Sequence, residues 1–263
     1  MATERYQRTH LVDGQPLAYV DEGAGPPVVL LHGFTGRAVT HMGLLLDVLR
    51  DAHRVIAPDL RGYGLSAPPP RTFPPDFYQQ DADDVAALLR QLACGPAMAL
   101  GFSDGAESAL LLAARHPDLV AGVVAWGVSG VISREMAESV TGWLEPGDWA
   151  ASHSDWAAEI AREHGAAQIE PLVAGWARAA HAIYAAGGNI CRDEAAAIRC
   201  PVLLLNGEGE VNNTRADTLA LQARIADCRL RLIPGAGHGI QWDQPDALVA
   251  EITRFMSALH TSG

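Results

Sequence analysis

Ser103 stands in the segment GFSDG, residues 101–105, which has the spacing of a nucleophilic serine between two glycines. The short apolar run 98–102 predicts a buried strand before it, and the pattern at 107–116 predicts a helix after it. On such a turn the serine takes a strained backbone conformation that lifts its hydroxyl above the sheet, while the glycines leave room for the chain to reverse. The context favours a nucleophile over a structural turn serine.

His238 is the candidate base for this serine, because a hydroxyl is a weak nucleophile unless a neighbouring base takes its proton. It lies in PGAGHG, residues 234–239, directly after the last predicted strand. A loop histidine on its own is usually a solvated surface residue. The order serine, acid, histidine along the chain nevertheless favours a general base that is presented at the carboxyl edge of a sheet.

A carboxylate must orient that histidine and stabilise its charged form without taking the proton. The predicted strand 202–206 runs into GEGE, residues 207–210, where a carboxylate would reach the edge of the sheet. Glu210 is our first choice and Glu208 our second, since either acidic residue type can serve in this position. The alternative is that Glu210 is only a loop carboxylate and that another residue orients His238.

The negatively charged oxygen that forms when a serine attacks a carbonyl needs hydrogen-bond donors aimed at it, usually two backbone amides. We predict that one is the amide of Asp104, directly after the nucleophile. The other is predicted to be the amide of Phe34 in HGFTG, residues 32–36, which follows the early strand 28–31.

The side chain of Asp104 allows two interpretations. A carboxylate at a helix N-terminus complements the helix dipole, which is worth about 0.3–1 kcal/mol. The same carboxylate could instead bind an ammonium group on the acyl part of a substrate through a charge-assisted hydrogen bond. The residues alone favour the first interpretation.

These residues come from distant parts of the chain, so a framework must bring them to one edge of a sheet. Short runs rich in Val, Ile and Leu alternate with helical patterns, which predicts an α/β fold around a mostly parallel sheet covered on both faces. The first twenty residues, with Asp13-Gly14 between two runs, predict a hairpin. The predicted strands are 28–31, 55–57, 98–102, 120–126, 202–206 and 230–233, and the predicted helices are 41–50, 78–92, 107–116, 216–225 and 247–259.

The alternation of strands and helices stops after Trp126 and resumes at residue 200. We therefore predict a core of residues 1–130 and 199–263 and an inserted helical cap of residues 131–198. The cap contains four of the six tryptophans, and as a whole it should roof the pocket, although each ring could simply pack the cap onto the core. These tryptophans are Trp143, Trp149, Trp156 and Trp176.

Composition excludes several functional classes. The formal net charge of −12 disfavours binding to nucleic acid, which needs clustered Lys and Arg. The histidines form no HExxH pattern and the four cysteines no metal-like spacing, so we expect neither a metal nor another cofactor. The cysteines predict free thiols in a reducing compartment. The first ten residues have no apolar run and no stretch is long enough to span a bilayer, so a cytoplasmic location without membrane contact is expected.

At this point the sequence resembles the valacyclovir hydrolase, or biphenyl hydrolase-like, branch of the α/β-hydrolases. The resemblance spans most of the chain, and FPPDF and GNICR are its most particular segments. The loop at 32–36 differs from that branch. The segments that carry the resemblance are DLRGYGLS (59–66), FPPDFYQQDADD (73–84), GFSDG (101–105), Trp126-Gly127, GNICR (188–192) and Cys200-Pro201.

That family cleaves esters of α-amino acids with a Ser-Asp-His triad and an acidic residue that holds the amino group. The resemblance implies that Ser103 and His238 are catalytic and that Asp104 anchors an ammonium group. Glu210 stands where the family has aspartate, one methylene shorter. For the substrate we expect contacts with Asp104, Phe34 and Trp126.

The sequence leaves three alternatives open. The first is a carboxylesterase, thioesterase or carbon–carbon bond hydrolase that does not recognise an amine. The second is an acyltransferase on the same framework, and the third is a catalytically silent fold that binds a small ligand. The leaving group, the acyl side chain, the physiological substrate and the oligomeric state are not encoded in any recognisable pattern.

Overall fold

The fold is built on one eight-stranded sheet, seen in a computed structural model that describes residues 5–12 and 14–260. Asp13 of the predicted hairpin turn and residues 1–4 and 261–263 lie outside the described part. The order of strands across the sheet is β1-β2-β4-β3-β5-β6-β7-β8. The strands are β1 (Tyr6–Val12), β2 (Gln15–Glu22), β3 (Pro27–Leu31), β4 (Arg54–Pro58), β5 (Ala97–Phe102), β6 (Val120–Trp126), β7 (Val202–Gly207) and β8 (Cys228–Ile233).

The sheet is parallel from β4 to β8, and β1 and β2 extend it in antiparallel pairing. Parallel strands end at the same edge, so the loops after β3, β5, β7 and β8 lie near one another. All four predicted parts of the site follow these strands. The mostly parallel α/β fold predicted from the sequence is confirmed.

Helices cover both faces of the sheet, because neighbouring residues of each central strand point to opposite sides. Leu30 and Val124 pack with the helices on one face, whereas Leu31 and Val123 pack with those on the other. The helices are α1 (Ala38–His41), α2 (Gly43–Leu49), α3 (Phe77–Gln91), α4 (Asp104–Arg115), α5 (Arg134–Ser139), α6 (Pro146–Ser152), α7 (Ser154–His164), α8 (Ile169–Ala185), α9 (Arg215–Gln222), α10 (Ile240–Asp243) and α11 (Pro245–His260).

The chain between β6 and β7 contains α5 to α8 and leaves the sheet entirely. The 3₁₀ turns Thr141–Leu144 and Ala166–Gln168 join helices of this segment, and a third, Glu194–Ala197, lies between α8 and β7. Ile160 and Val173 of this segment are fully buried in the same cluster as residues of α3 and α4. The inserted helices therefore share one hydrophobic core with one face of the sheet.

Two elements differ from the sequence expectation. The predicted helix 41–50 is two short helices, because the backbone breaks at Met42 between α1 and α2. The strand β8 is not covered on both faces: it lies at the edge of the sheet, and the even-numbered residues of 228–232 are half-buried while Arg229 and Arg231 are exposed.

In the part of the chain that the structure describes, no helix is both long enough and apolar enough to cross a bilayer.

Candidate active site

Ser103 occupies a sharp turn between β5 and α4, with the left-handed backbone angles φ 54° and ψ −122°. Few residues other than glycine adopt a positive φ, so this conformation is strained. The flanking positions must be glycine because a side chain at either one would clash with the backbone. A Cβ at Gly101 would lie 2.2 Å from the carbonyl oxygen of Gly105, and a Cβ at Gly105 would lie 2.3 Å from that of Leu31. The turn holds the serine hydroxyl at the carboxyl edge of the sheet.

A chain of hydrogen bonds runs from Ser103 through His238 to Glu210. The distance from His238 Nε2 to Ser103 Oγ is 3.0 Å, and the distance from His238 Nδ1 to Glu210 Oε2 is 2.5 Å. Since the carboxylate accepts a hydrogen bond from Nδ1–H, which keeps its proton, Nε2 is left to accept the proton of the serine hydroxyl. This is the geometry in which an imidazole can activate a serine.

Glu210 is held from both sides. Its side chain is 1% exposed, and its Oε1 accepts hydrogen bonds from the amides of Asn212 at 2.7 Å and Asn213 at 3.2 Å. Burial alone would raise the pKa of Glu210, but the hydrogen bonds from His238 and the two amides keep it below its usual value. Glu210 therefore carries a negative charge near neutral pH. Glu208, our second choice, is exposed to solvent.

Asn213 was not singled out from the sequence, yet it joins two loops at this point. Its buried side chain donates to the carbonyl oxygen of Gly127 at 3.0 Å and accepts from the hydroxyl of Ser129 at 2.9 Å. Its carbonyl oxygen accepts from Asn206 in β7. No sequence signal identifies this residue, because its partners are remote along the chain.

The turn at residues 33–36 lies directly against the nucleophile. A Cβ at Gly33 would be 3.0 Å from the Cβ of Ser103, and the turn is closed by a hydrogen bond from the Gly36 amide to the Gly33 carbonyl oxygen. Within the described residues, the amides of Phe34 and Asp104 make no hydrogen bond to the protein. Both remain available to an oxygen of a bound molecule.

Two buried histidines support this turn. His32 accepts from the Leu60 amide and donates to the Gly33 carbonyl oxygen, both at 2.9 Å, while His41 accepts from the Gly33 amide at 3.3 Å. Burial lowers the pKa of each histidine to about 3. Both are therefore neutral near physiological pH and act as fixed hydrogen-bond partners.

Asp104, the residue directly after the nucleophile, is buried. Its carboxylate accepts hydrogen bonds from the hydroxyl of Tyr78 at 2.9 Å and the indole of Trp176 at 3.0 Å. Burial raises the pKa of Asp104 to about 6, although Tyr78, the positive charge of Arg71 and Trp176 all lower it. Arg71 is itself paired with Asp81. The partners that touch the carboxylate are thus neutral donors.

Glu107 is a second buried carboxylate, one helical turn after Asp104 on α4. It accepts hydrogen bonds from the amides of Ser129 and Gly130 and from the thiol of Cys191. Burial raises the pKa of Glu107 to about 7, against the lowering effect of these donors. Glu107 was not predicted as part of the site, although its i,i+3 spacing from Asp104 places both side chains on one face of the helix.

These side chains line a cavity of about 420 Å³ between the sheet edge and the inserted helices. Most of its wall is apolar and aromatic, and no arginine is among its lining residues in the described part of the chain. Phe34 lies at the centre of the aromatic wall, with ring centroids 5.5–5.9 Å from three cap tryptophans, Trp143, Trp156 and Trp176. Trp149 packs behind them and does not line the cavity.

Trp126 is placed differently from the expected substrate contact. It is fully buried, it does not line the cavity, and its indole donates to the Gln241 side chain at 2.8 Å. The reason is the two-residue period of β6, which turns Trp126 to the same face as Val124 and stacks it on Phe102. The next residue, Gly127, lines the cavity instead.

Comparisons with known proteins bear on the fold and the family. A family model described as alpha/beta hydrolase fold matches residues 26–181. Serine hydrolase BPHL of Homo sapiens is 32% identical over 87% of this chain and 79% of the relative. A 2-(acetamidomethylene)succinate hydrolase of Mesorhizobium japonicum is 30% identical over 90% of each chain. The solved structure of a thermophilic esterase from Thermogutta terrifontis has a TM-score of 0.75 at 26% identity, covering 96% of this chain and 97% of that one.

Proposed function

Because the chain belongs to the alpha/beta hydrolase fold family and is a hydrolase that acts on esters, we propose that it cleaves esters of α-amino acids with Ser103, His238 and Glu210 as catalytic residues. Ser103 attacks the ester carbonyl while His238 takes the hydroxyl proton. The amides of Phe34 and Asp104 stabilise the resulting oxyanion. His238 then donates the proton to the departing alcohol, which leaves an acyl-enzyme.

Water completes the cycle. His238 takes a proton from a water molecule, which attacks the acyl-enzyme, and the proton passes to Ser103 as the acid is released. Glu210 keeps the imidazole in the tautomer with the proton on Nδ1 and stabilises the imidazolium at each step. All of these proton transfers use side chains of the chain itself.

The observation that carries the choice of substrate is the buried Asp104 carboxylate in the cavity wall beside the nucleophile. Buried charges are costly unless they are paired, and its direct partners, Tyr78 and Trp176, are neutral. A substrate ammonium would supply the missing positive charge. Since Asp104 directly follows Ser103, an ammonium on the carbon next to the ester carbonyl suits this position.

The charge of the cavity supports a cationic substrate over an anionic one. Glu107 and Glu159 also line it, and no arginine does in the described part of the chain. The relative from Mesorhizobium japonicum is named for an anionic substrate, a succinate derivative. An anion of that kind would meet like charges here, which disfavours it.

A matched set of esters tests the proposal. The substrates are L-leucine ethyl ester and ethyl 4-methylpentanoate, which differ only in the α-amino group, and the enzymes are the wild type and Asp104→Asn. We expect the substitution to lower kcat/KM for the leucine ester by about 30- to 100-fold, since it removes a charge-assisted hydrogen bond in a buried site, and to lower that for the other ester far less. Both constants come from steady-state kinetics.

The design cancels the higher intrinsic reactivity of amino acid esters, because each ester is compared between two enzymes. Ser103→Ala serves as the blank. Equal losses for the two esters would remove Asp104 from amine recognition and leave a general esterase. Acyl transfer to added alcohol that outruns hydrolysis would instead identify an acyltransferase.

A further inference from the structure

Trp242 on α10 is an exposed tryptophan in the cavity wall. Its side chain is 56% exposed, whereas Trp126 of the core is fully buried. Other large apolar side chains are exposed in the described part of the chain, but Trp242 alone among them also lines the cavity. An exposed aromatic ring in a cavity wall offers a large area for contact with a bound molecule.

The indole is held in place by close packing against neighbouring groups. A Cβ at Gly239 would lie only 2.2 Å from Trp242 Cε3, so the glycine allows the ring to rest on the backbone beside His238. The rings of His41 and Phe102 lie 5.2 and 5.4 Å away and are nearly perpendicular to it. Within the described residues no ring stacks flat on the indole. The protein thus fixes an aromatic ring and leaves more than half of it exposed.

Trp242 lies on the side of the site where the alcohol part of the ester would leave. Trp242 and His238 both contact the ring of Phe102, with centroid distances of 5.4 and 5.1 Å. In the proposed mechanism His238 gives its proton to the departing alcohol, so the alcohol oxygen must lie beside Nε2. The acyl end is anchored elsewhere, at Asp104.

We propose that Trp242 binds the alcohol part of the ester and that the enzyme favours alcohols carrying a flat aromatic ring. This inference rests on the proposed function for the direction in which the alcohol leaves. An aromatic ring would stack on the open indole and be shielded from water on one face. A saturated ring of equal size would gain burial without the flat contact.

Esters of one acid with different alcohols test this. The substrates are the benzyl, cyclohexylmethyl and ethyl esters of L-leucine, and the enzymes are the wild type, Trp242→Ala, Trp242→Phe and the control Leu219→Ala, an exposed residue away from the cavity. We expect Trp242→Ala to lower kcat/KM for the benzyl ester about tenfold, with smaller losses for the other two. Trp242→Phe should retain most of the benzyl preference, and Leu219→Ala should change none of the three.

Benzyl alcohol gives a second measurement that does not depend on the chemical step. It should inhibit hydrolysis of the ethyl ester by the wild type, and the inhibition should weaken about tenfold in Trp242→Ala. The same loss of benzyl selectivity in esters of 4-methylpentanoate would support the role of Trp242 even if amine recognition at Asp104 failed. Equal losses for all three leucine esters would overturn it. Unchanged selectivity for the benzyl ester in Trp242→Ala would also overturn it. If the elution volume of that variant in size-exclusion chromatography changed as well, a second copy of the chain would be what covers the ring.

Discussion

Glu210 shows how a single side chain depends on its loop. A glutamate reaches one methylene farther than an aspartate. Here one carboxylate oxygen of Glu210 contacts His238, and the other accepts hydrogen bonds from the backbone amides of Asn212 and Asn213. Asn213 is in turn fixed to Gly127 through its side chain. The position of the carboxylate relative to His238 is therefore set by several fixed groups, so a change of length is not easily absorbed.

We expect Glu210→Gln to lower kcat by about 10³- to 10⁴-fold, because an amide cannot stabilise the imidazolium and favours the wrong tautomer of His238. Glu210→Asp should lose about tenfold or more, since the shorter chain cannot hold both His238 and the two amides. Glu208→Gln is the matched control and should stay within twofold of the wild type. Steady-state kcat with leucine ethyl ester is the measurement. A Glu210→Gln enzyme that retained full activity would assign the orienting role to another residue.

At this scale the sequence predicts residues whose role follows from a motif and its place after a strand. Ser103 and His238 belong to this class. Tyr78 and Trp176 could not be recognised as partners of Asp104, because they lie on α3 and α8, which are distant along the chain from Asp104 on α4. Trp126 was assigned to the cavity without regard to which face of β6 it occupies.

At the scale of elements, the inserted helix α7 controls the turn that carries the Phe34 amide. The indole of Trp156 donates to Thr35 Oγ1 at 2.8 Å, and His164 Nε2 donates to the Thr35 carbonyl oxygen at 2.7 Å. Thr35 has a positive φ of 58°, a conformation that needs support from its surroundings. The inserted segment thus helps to shape the proposed oxyanion site as well as the cavity wall.

Comparing Trp156→Phe with Trp149→Phe separates the effect of the Trp156–Thr35 hydrogen bond from the effect of changing an aromatic ring in the packed cluster. Trp156 loses its bond to Thr35, worth about 0.5–1.5 kcal/mol, so kcat should fall about three- to tenfold. Trp149 is buried and its indole nitrogen has no hydrogen-bond partner among the described residues, so the same substitution should leave kcat unchanged. Rates at saturating leucine ethyl ester give the comparison. Similar kcat values for the two variants would contradict a role for α7 in fixing the turn.

The central strands were predicted well because runs buried on both faces are almost purely apolar. β6 is found at 120–126, as expected, and β5 differs by one residue. Short helices were predicted less well, since α1 and α2 read as one periodic segment and only the backbone at Met42 separates them. The contacts within the inserted segment could not be derived, because they depend on how its helices pack over the sheet.

At the scale of the whole molecule, buried ionisable groups of opposite kinds surround the site. Burial raises the pKa of Asp104 and Glu107, so these groups bind protons more readily in the folded state than in the unfolded chain. Burial lowers the pKa of His32 and His41, which has the opposite effect. Between pH 4.5 and 6 the two sets oppose each other. The dependence of stability on pH in this window is thus a small difference between large contributions, and single substitutions should expose each one.

His41→Asn removes one histidine contribution while keeping an acceptor for the Gly33 amide. The pKa of His41 is about 3 in the folded protein and about 6.5 in the unfolded chain, so only the unfolded chain binds this proton as the pH falls below 6.5. The contribution of His41 to the free energy of unfolding of the wild type is therefore fully present above pH 6.5 and is lost as the pH falls. The advantage of the wild type over His41→Asn in the free energy of unfolding should therefore shrink as the pH falls from 6.5, with a slope that approaches about 1.4 kcal/mol per pH unit near pH 5. Urea unfolding at each pH measures it, with the exposed His153→Asn as control. A difference that stayed constant or grew toward low pH would show that His41 is not held neutral by burial.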